Sequence, residues 1–113
     1  MRTLNDYFIT SAIPDVSSAS STFVTVPDAG RIIKIFAQNK ATTTGTAAIT
    51  FEIDTVACTS AAISHVAASS ALKQYSVEPT TTNDVLEGSV IEVITNGGSS
   101  NASKMEITYV IRR

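Results

Sequence analysis

The chain has 113 residues, which suffices for one domain with a single core. Its formal net charge of -2 gives no basic surface, so we expect no nucleic-acid partner. The single cysteine, Cys58, excludes an intrachain disulfide and a thiolate metal cage, and we expect it to fill a small apolar space. No apolar run approaches the roughly 20 residues of a membrane span, and the first residues lack a signal-peptide pattern. We therefore expect synthesis in the cytoplasm and no membrane partner.

Isoleucine and valine supply most of the large apolar side chains, and both suit the pleated surface of a strand. Strands are predicted over residues 7–13, 22–26 and 31–38, separated by a polar loop and by a proline–glycine turn at 27–30. In the third strand, strict alternation places Ile33, Ile35 and Ala37 on one face. The other face also carries apolar side chains. This pattern predicts a central strand, or one whose second face lies under an interface.

Residues 46–54 show clean alternation, with Ala47, Ile49, Phe51 and Ile53 predicted to point inward. The alanine-rich stretch 56–71 admits a helical interpretation, because alanine is the best helix former. We favour a strand over residues 61–67, since serine and threonine compete for backbone hydrogen bonds and the larger apolar residues trace no helical stripe. Another strand is predicted over residues 72–78, where Pro79 ends it.

The end of the chain holds the clearest pattern. A β-type run at 90–95 is followed by turn-forming residues at 96–103, and then by a strand at 104–112. That last strand has one apolar face, formed by Met105, Ile107, Tyr109 and Ile111. We predict an antiparallel hairpin here. The whole pattern predicts an all-β chain, an antiparallel β-sandwich or jelly-roll-like fold of about eight short strands. Residues 1–6 would form an N-terminal arm and residues 7–113 a single β-sandwich domain.

The chain offers few residues for chemistry. Ser64 precedes the lone histidine, His65, but neighbouring side chains in a strand point to opposite faces, so no nucleophile–base pair is expected. One histidine does not make a histidine-rich metal site. Glu52 and Asp54 share a strand face and admit a paired-acid or calcium site, although a solvated strand face explains them more simply. We therefore expect no enzyme, no catalytic, cofactor-binding or metal-binding residues, and no cofactor.

Three segments carry a resemblance: IPDVSSASSTFVTVP at residues 13–27, AGRIIK at 29–34 and VLEGSVIEVITNGGSSN at 85–101. The first two resemble the opening strands, and the third the final hairpin, of small virion structural proteins of tailed bacteriophages. Proteins of that group sit on the head as capsid decoration (cement) proteins or occur as other virion components. The resemblance implies a structural protein of the virion, located on the capsid surface, and it brings no catalytic residues with it.

Two functions therefore stand as expectations. The first is a decoration protein that binds the major capsid protein lattice and stabilises the head, acting as a homo-oligomer, with a trimer as one of the states considered. Its expected capsid contacts are the arm residues and the first strand residue, namely Met1, Arg2, Thr3, Leu4, Asn5, Asp6 and Tyr7. The alternative is a carbohydrate- or receptor-binding β module of a phage fibre or tail, whose tyrosines are Tyr7, Tyr75 and Tyr109. A small hydrolase that uses His65 is a remote third.

Overall fold

The computed structural model describes residues 5–65 and 72–113, and for Ser64 and His65 it describes the backbone alone. Every regular element in these residues is a strand, so they contain no helix that could cross a membrane. The strands are β1 (Asp6–Ile13), β2 (Ser20–Thr25), β3 (Gly30–Asn39), β4 (Ala47–Ile53), β5 (Val56–Ala57), β6 (Ile63–His65), β7 (Gln74–Val77), β8 (Asp84–Val85), β9 (Val90–Thr95) and β10 (Met105–Arg112). Eight of them correspond to the predicted strands, and the two-residue strands β5 and β8 are additional.

The strands form two antiparallel sheets. The first sheet has the order β1-β10-β3-β7, and β8 also pairs with β3. The second has the order β2-β9-β4-β5, and β6 also pairs with β4. The predicted all-β sandwich is confirmed, and so is the central position of β3. In the alanine-rich stretch the described residues 56–57 and 63–65 are strands, whereas 66–71 lie outside the described residues.

The core lies between the two sheets and consists of side chains that alternate inward. All four residues predicted to point inward from β4 are buried, and so are the four apolar-face residues of β10. The Phe51 ring of the second sheet meets the Tyr109 ring of the first edge to face, with centroids 5.9 Å apart and planes at 89°. This geometry is favourable for aromatic pairs, and here it joins the two layers at the centre of the core.

The predicted face of β3 is wrong at one position. Ile32 is fully buried beside Ile35 and Ala37, whereas Ile33 is only partly buried. The cause is an irregularity in the pairing of β3 with β10, where Val110 lies opposite Lys34 but the next residue, Ile111, lies opposite Ile32. Ile33 is therefore the extra residue of a β-bulge, and a bulge reverses the facing of the residues that precede it.

The predicted terminal hairpin is also wrong, because β9 and β10 belong to different sheets. The connection between them packs against the loop before β4. Gly45 bridges to Ser99, the Ser100 amide donates to the Thr44 carbonyl (2.7 Å), and the Asn96 side chain accepts a bond from the Ala48 amide (2.9 Å). These contacts carry the chain from one layer to the other, so each strand keeps its apolar face toward the same core.

Buried polar side chains fix the ends of several strands. Ser103 donates to the Asn39 side-chain oxygen (2.8 Å), and Asn39 donates in turn to the Ala41 carbonyl (2.6 Å). The Asn83 amide group donates to the Ile32 carbonyl (2.7 Å). Because buried polar groups are costly without partners, these bonds specify where the loops leave the sheets.

Candidate binding surfaces

The residues considered for catalysis lie on the second sheet. The backbone of β6 places Ser64 opposite Ala48 and His65 opposite Ala47 of β4. Among residues 5–65 and 72–113, with those two side chains left aside, no three His, Cys, Asp or Glu side chains are grouped to hold a metal ion. The histidine hypothesis thus gains no support from the described residues.

Glu52 and Asp54 do not share a strand face as the sequence suggested. Strand β4 ends at Ile53, and Asp54 and Thr55 have φ values of 48° and 72°, the left-handed pair of a tight hairpin turn. The Asp54 carboxylate accepts a bond from the Val90 amide at 2.9 Å. Asp54 therefore fixes the turn into β5 and the start of β9.

Cys58 is half-buried and packs against the core, in keeping with the apolar role expected for it. Burial raises the pKa of its thiol to about 11, and the charge of Glu52 adds to the effect. The thiol is therefore protonated at neutral pH, which makes it a poor nucleophile.

The expected contact residues at the N-terminus divide into two groups. Met1, Arg2, Thr3 and Leu4 lie outside the described residues. The other three are held by the domain itself. The Asn5 carbonyl accepts a bond from the Arg113 amide (3.2 Å), two Arg112 nitrogens donate to the Asp6 carboxylate (2.8 and 3.0 Å), and the Tyr7 hydroxyl donates to the Asp28 carbonyl. These bonds anchor the start of β1, and capsid contact by residues 1–7 stays a prediction.

Three arginine–aspartate pairs lie around this end of the first sheet. Their nitrogen–oxygen distances are 2.8 to 3.0 Å, and the pairs are Arg31–Asp84, Arg112–Asp6 and Arg113–Asp28. Hydrogen bonds to Asp84 and Asp6 raise the pKa of Arg31 and Arg112, respectively. The two arginines at positions 112 and 113 are thus paired with aspartates of the same chain, and they offer little charge to an acidic neighbour.

The outer face of the first sheet carries exposed aromatic side chains. Phe8 and Phe36 expose 52% and 41% of their surface, and Val110 lies between their strands on the same face. The Lys34 amine lies 5.0 Å from the centre of the Phe36 ring, within range of a cation–π contact. A shallow depression beside Phe36 is lined by polar residues, among them Gln38, Gln74, Glu106 and Thr108. We call this surface the phenylalanine face.

The outer face of the second sheet is more acidic. Phe23 is 62% exposed on β2 and lies opposite Glu92, which in turn lies opposite Glu52. The sequence indicated a second apolar face on β3, to which Phe36 belongs, but it did not show which strands complete either surface. The available signal was the alternation itself, because each exposed phenylalanine occupies an outward position of a strand whose inward positions are apolar or small.

The tyrosines considered for sugar binding do not form a stacking platform. Tyr109 is fully buried, and Tyr7 and Tyr75 are partly buried against the core. Sugar sites need exposed aromatic faces, so these three side chains do not favour the carbohydrate-binding alternative.

Comparison with known proteins finds solved structures of similar fold but no similar sequence. No protein-family model matches the sequence, and no characterised protein matches it in sequence. Among solved structures, the chain is similar to a chain of the acid-stable capsid of Helicobacter pylori bacteriophage KHP30, with a TM-score of 0.61, 9% identity, and coverage of 96% of this chain and 87% of that one. It is also similar to a chain of the capsid asymmetric unit of cyanophage Pam1, with a TM-score of 0.57, 12% identity, and coverage of 99% and 89%. The chain shares its fold with chains of two phage capsids. This likeness agrees with the all-β fold that the strand pattern predicts.

Proposed function

We propose that this chain is a structural protein of a bacteriophage virion, and that it acts as a decoration protein bound to the lattice of the major capsid protein. The observation that carries the proposal is the shared fold, which spans nearly the whole chain in both capsid structures. The described surfaces add support, because they present exposed aromatic faces and shallow depressions in place of a cleft that gathers reactive groups. The proposal assigns the chain no catalytic role and no cofactor.

The contact is proposed to combine the first residues with the phenylalanine face. Residues 1–4 precede β1, and Phe8 lies on the outer face near the start of that strand. The proposed contact therefore joins the start of the chain to the apolar face of the strand that directly follows it. Covering the exposed halves of Phe8 and Phe36 would contribute about 1 kcal/mol each, since full burial of a phenylalanine contributes roughly 1.5–3 kcal/mol.

Stabilisation of the head would follow by mass action. A protein that binds the assembled lattice, but not its separated subunits, favours the lattice by the free energy of binding at each site. Contacts to two neighbouring subunits raise the effective concentration for the second contact. Small contributions per copy therefore add up over a shell. The chain would act in this way as a homo-oligomer at the capsid surface.

The test uses capsids of the source virion that have been stripped of this chain. Purified full-length chain is added back, and we expect co-sedimentation with the capsids and a higher temperature of genome release. Removing residues 1–4, or replacing both Phe8 and Phe36 by serine, should lower occupancy. Leu86→Ser is the matched control, because Leu86 is 71% exposed but lies outside this face.

Equal occupancy for all variants would contradict the proposed contact surface and leave the virion role standing. Absence of the chain from purified virions by mass spectrometry would contradict the virion role itself. Specific, saturable binding on a glycan array would favour the fibre or tail alternative. Turnover that disappears on His65→Ala would contradict the non-catalytic assignment.

A further inference from the structure

Two strand edges lie side by side on one flank of the sandwich. Within the described residues, β1 pairs only with β10 and β2 pairs only with β9, so each is the edge of its sheet. The two strands are consecutive in the chain and pack next to each other across the two layers. Alternate backbone groups on such edges point away from the sheet and can pair with another strand. We call this flank the β1/β2 flank.

The β1/β2 flank lacks the features that normally protect a strand edge. Neither proline nor a charged residue occurs from Tyr7 to Ile13 in β1 or anywhere in β2 (Ser20–Thr25). Natural edges are usually blocked by lysine, proline, bulges or short strand length. The opposite flank has one such feature. Its strands β5 to β8 are two to four residues long, whereas β1 and β2 have eight and six residues. Proline lies just beyond a strand on both flanks, Pro14 after β1 and Pro79 after β7, so strand length is the feature that separates them.

The interior is also incompletely covered along the β1/β2 flank. Tyr7, Ile9 and Val24 lie opposite the buried residues Ile111, Tyr109 and Ile91 of the central strands, yet they remain partly exposed. Tyr75 and Val77 are comparable on the opposite flank, but there the edge strand is short. Long open edges and uncovered interior residues therefore coincide only on the β1/β2 flank, among the described residues.

We propose that the β1/β2 flank pairs with the same flank of a second copy of this chain, so that both sheets continue across a two-fold axis. The flank suits an identical partner because no charge occurs from Tyr7 to Ile13 or in β2, and Asp6 at the start of β1 is paired with Arg112 of its own chain. When β1 pairs antiparallel with β1 of the second copy, each side chain stays on the side of the sheet, core or outer, that it occupies in the single chain. The register centred on Ile9 places the two Ile9 side chains together inside the extended core.

The size of the flank fits a dimer contact. An eight-residue strand is about 27 Å long at about 3.4 Å per residue. The shortest dimension of the molecule is 20 Å. The flank therefore covers about 540 Å² per copy and about 1,100 Å² in total, just above the roughly 1,000 Å² expected of a specific interface. This pairing closes on itself and gives a dimer, in contrast to the trimer considered from the sequence. It holds whether or not the chain binds a capsid.

Cross-linking of the full chain tests both the contact and its register. Ile9→Cys is made together with Cys58→Ser, which removes the native thiol, and is incubated with oxidised glutathione, which accepts the electrons as two thiols join. We expect disulfide-linked dimers. The matched control is Ser76→Cys in the same background, because Ser76 is exposed on the edge strand of the opposite flank. Equal cross-linking of the two variants would overturn the proposal.

Sedimentation equilibrium of the unmodified chain measures its oligomeric state directly. We expect a monomer–dimer equilibrium, and Ile9→Lys should weaken it roughly 30-fold or more by bringing two charges together at the axis. Leu86→Lys adds the same charge away from the flank and should leave the equilibrium unchanged. A trimer, or a monomer at concentrations up to roughly 100 µM, would overturn the proposal. If circular dichroism shows that Ile9→Lys is unfolded, the cross-linking result decides.

Discussion

The connection between β9 and β10 can be tested by adding one methyl group. A Cβ on Gly98 would overlap the backbone carbonyl of Thr46, which cannot move without displacing the start of β4. Asn96 accepts bonds from both the Gly98 and Ala48 amides (3.0 and 2.9 Å), so moving the loop also weakens these bonds. Overpacking typically costs about 1–3 kcal/mol, and one weakened hydrogen bond about 1 kcal/mol. We therefore expect Gly98→Ala to lower the free energy of unfolding by about 3 kcal/mol.

Urea unfolding followed by circular dichroism measures this change, and thermal unfolding should show a Tm about 15 °C lower. Gly88→Ala is the matched control. Its φ of 86° is unfavourable for alanine, but a Cβ there has no neighbour within 4 Å. This variant should lower the free energy of unfolding by only about 1 kcal/mol, because the positive φ is its only unfavourable feature. If the two variants are equally destabilised, the loop does not pack against Thr46 and the crossing between sheets described above is incorrect.

Three further changes test the core and the thiol. Tyr109→Phe removes the hydroxyl that lies 3.0 Å from the Ser11 hydroxyl, and should lower the free energy of unfolding in urea by about 1 kcal/mol. An unchanged free energy of unfolding would contradict a buried hydrogen bond there. Asn83→Ala leaves the Ile32 carbonyl without its side-chain donor and should cost about 2 kcal/mol in the same assay. Cys58 should react with a thiol reagent at pH 8 roughly 20-fold more slowly than in the urea-unfolded chain. Its pKa of about 11 lowers the thiolate fraction roughly 200-fold, and the greater nucleophilicity of the more basic thiolate offsets this roughly 10-fold. The rate should rise as the pH approaches that pKa, and equal rates in both states would contradict the burial.

Alternation predicted the facing of residues well where strands are regular. In β4 and β10 the side chains predicted inward, such as Phe51 and Ile107, are buried because β4 pairs with β9, and β10 with β1, in ladders without a register shift, which preserves the period of two. In β3 the same rule failed at Ile32 and Ile33. The two isoleucines are chemically identical, so only the pairing with β10 determines which of them becomes the extra residue of the bulge.

The hairpin prediction at the end of the chain failed because it assumed that β9 and β10, which are neighbours in sequence, also pair with each other. An apolar face on β9 and another on β10 fit a hairpin, and they fit equally well two strands on opposite sides of one core. Loop length carried the distinguishing signal, because the connection of residues 96–104 exceeds the usual hairpin loop of about two to five residues. The polar contacts of Asn96 and Ser99 with the loop before β4 depend on residues about 50 positions earlier, which no local pattern reveals.

The sequence predicted the candidate surfaces only in part. It indicated that surfaces, not a reactive centre, deserve attention, and it named residues 1–7 and the second face of β3, but it did not show which strands complete each surface. Asp6 and Tyr7 were assigned to external contacts, yet their observed partners include Arg112 and Asp28, which lie far along the chain. The open β1/β2 flank depends on sheet order, and sheet order follows from long-range pairing.

The order of the first sheet constrains how a newly made chain acquires its structure. Strand β10 is the last to be synthesised, and it lies between β1 and β3, with Asp6 opposite Arg112. Among the described strands, β1 therefore has no partner in its sheet until residues 105–112 have been synthesised. Chains dominated by such distant pairings fold in about milliseconds to seconds, far more slowly than helical bundles. Strand β1 thus stays without its partner while residues 14–104 are made, and this is the interval when a chaperone would be most useful to the nascent protein.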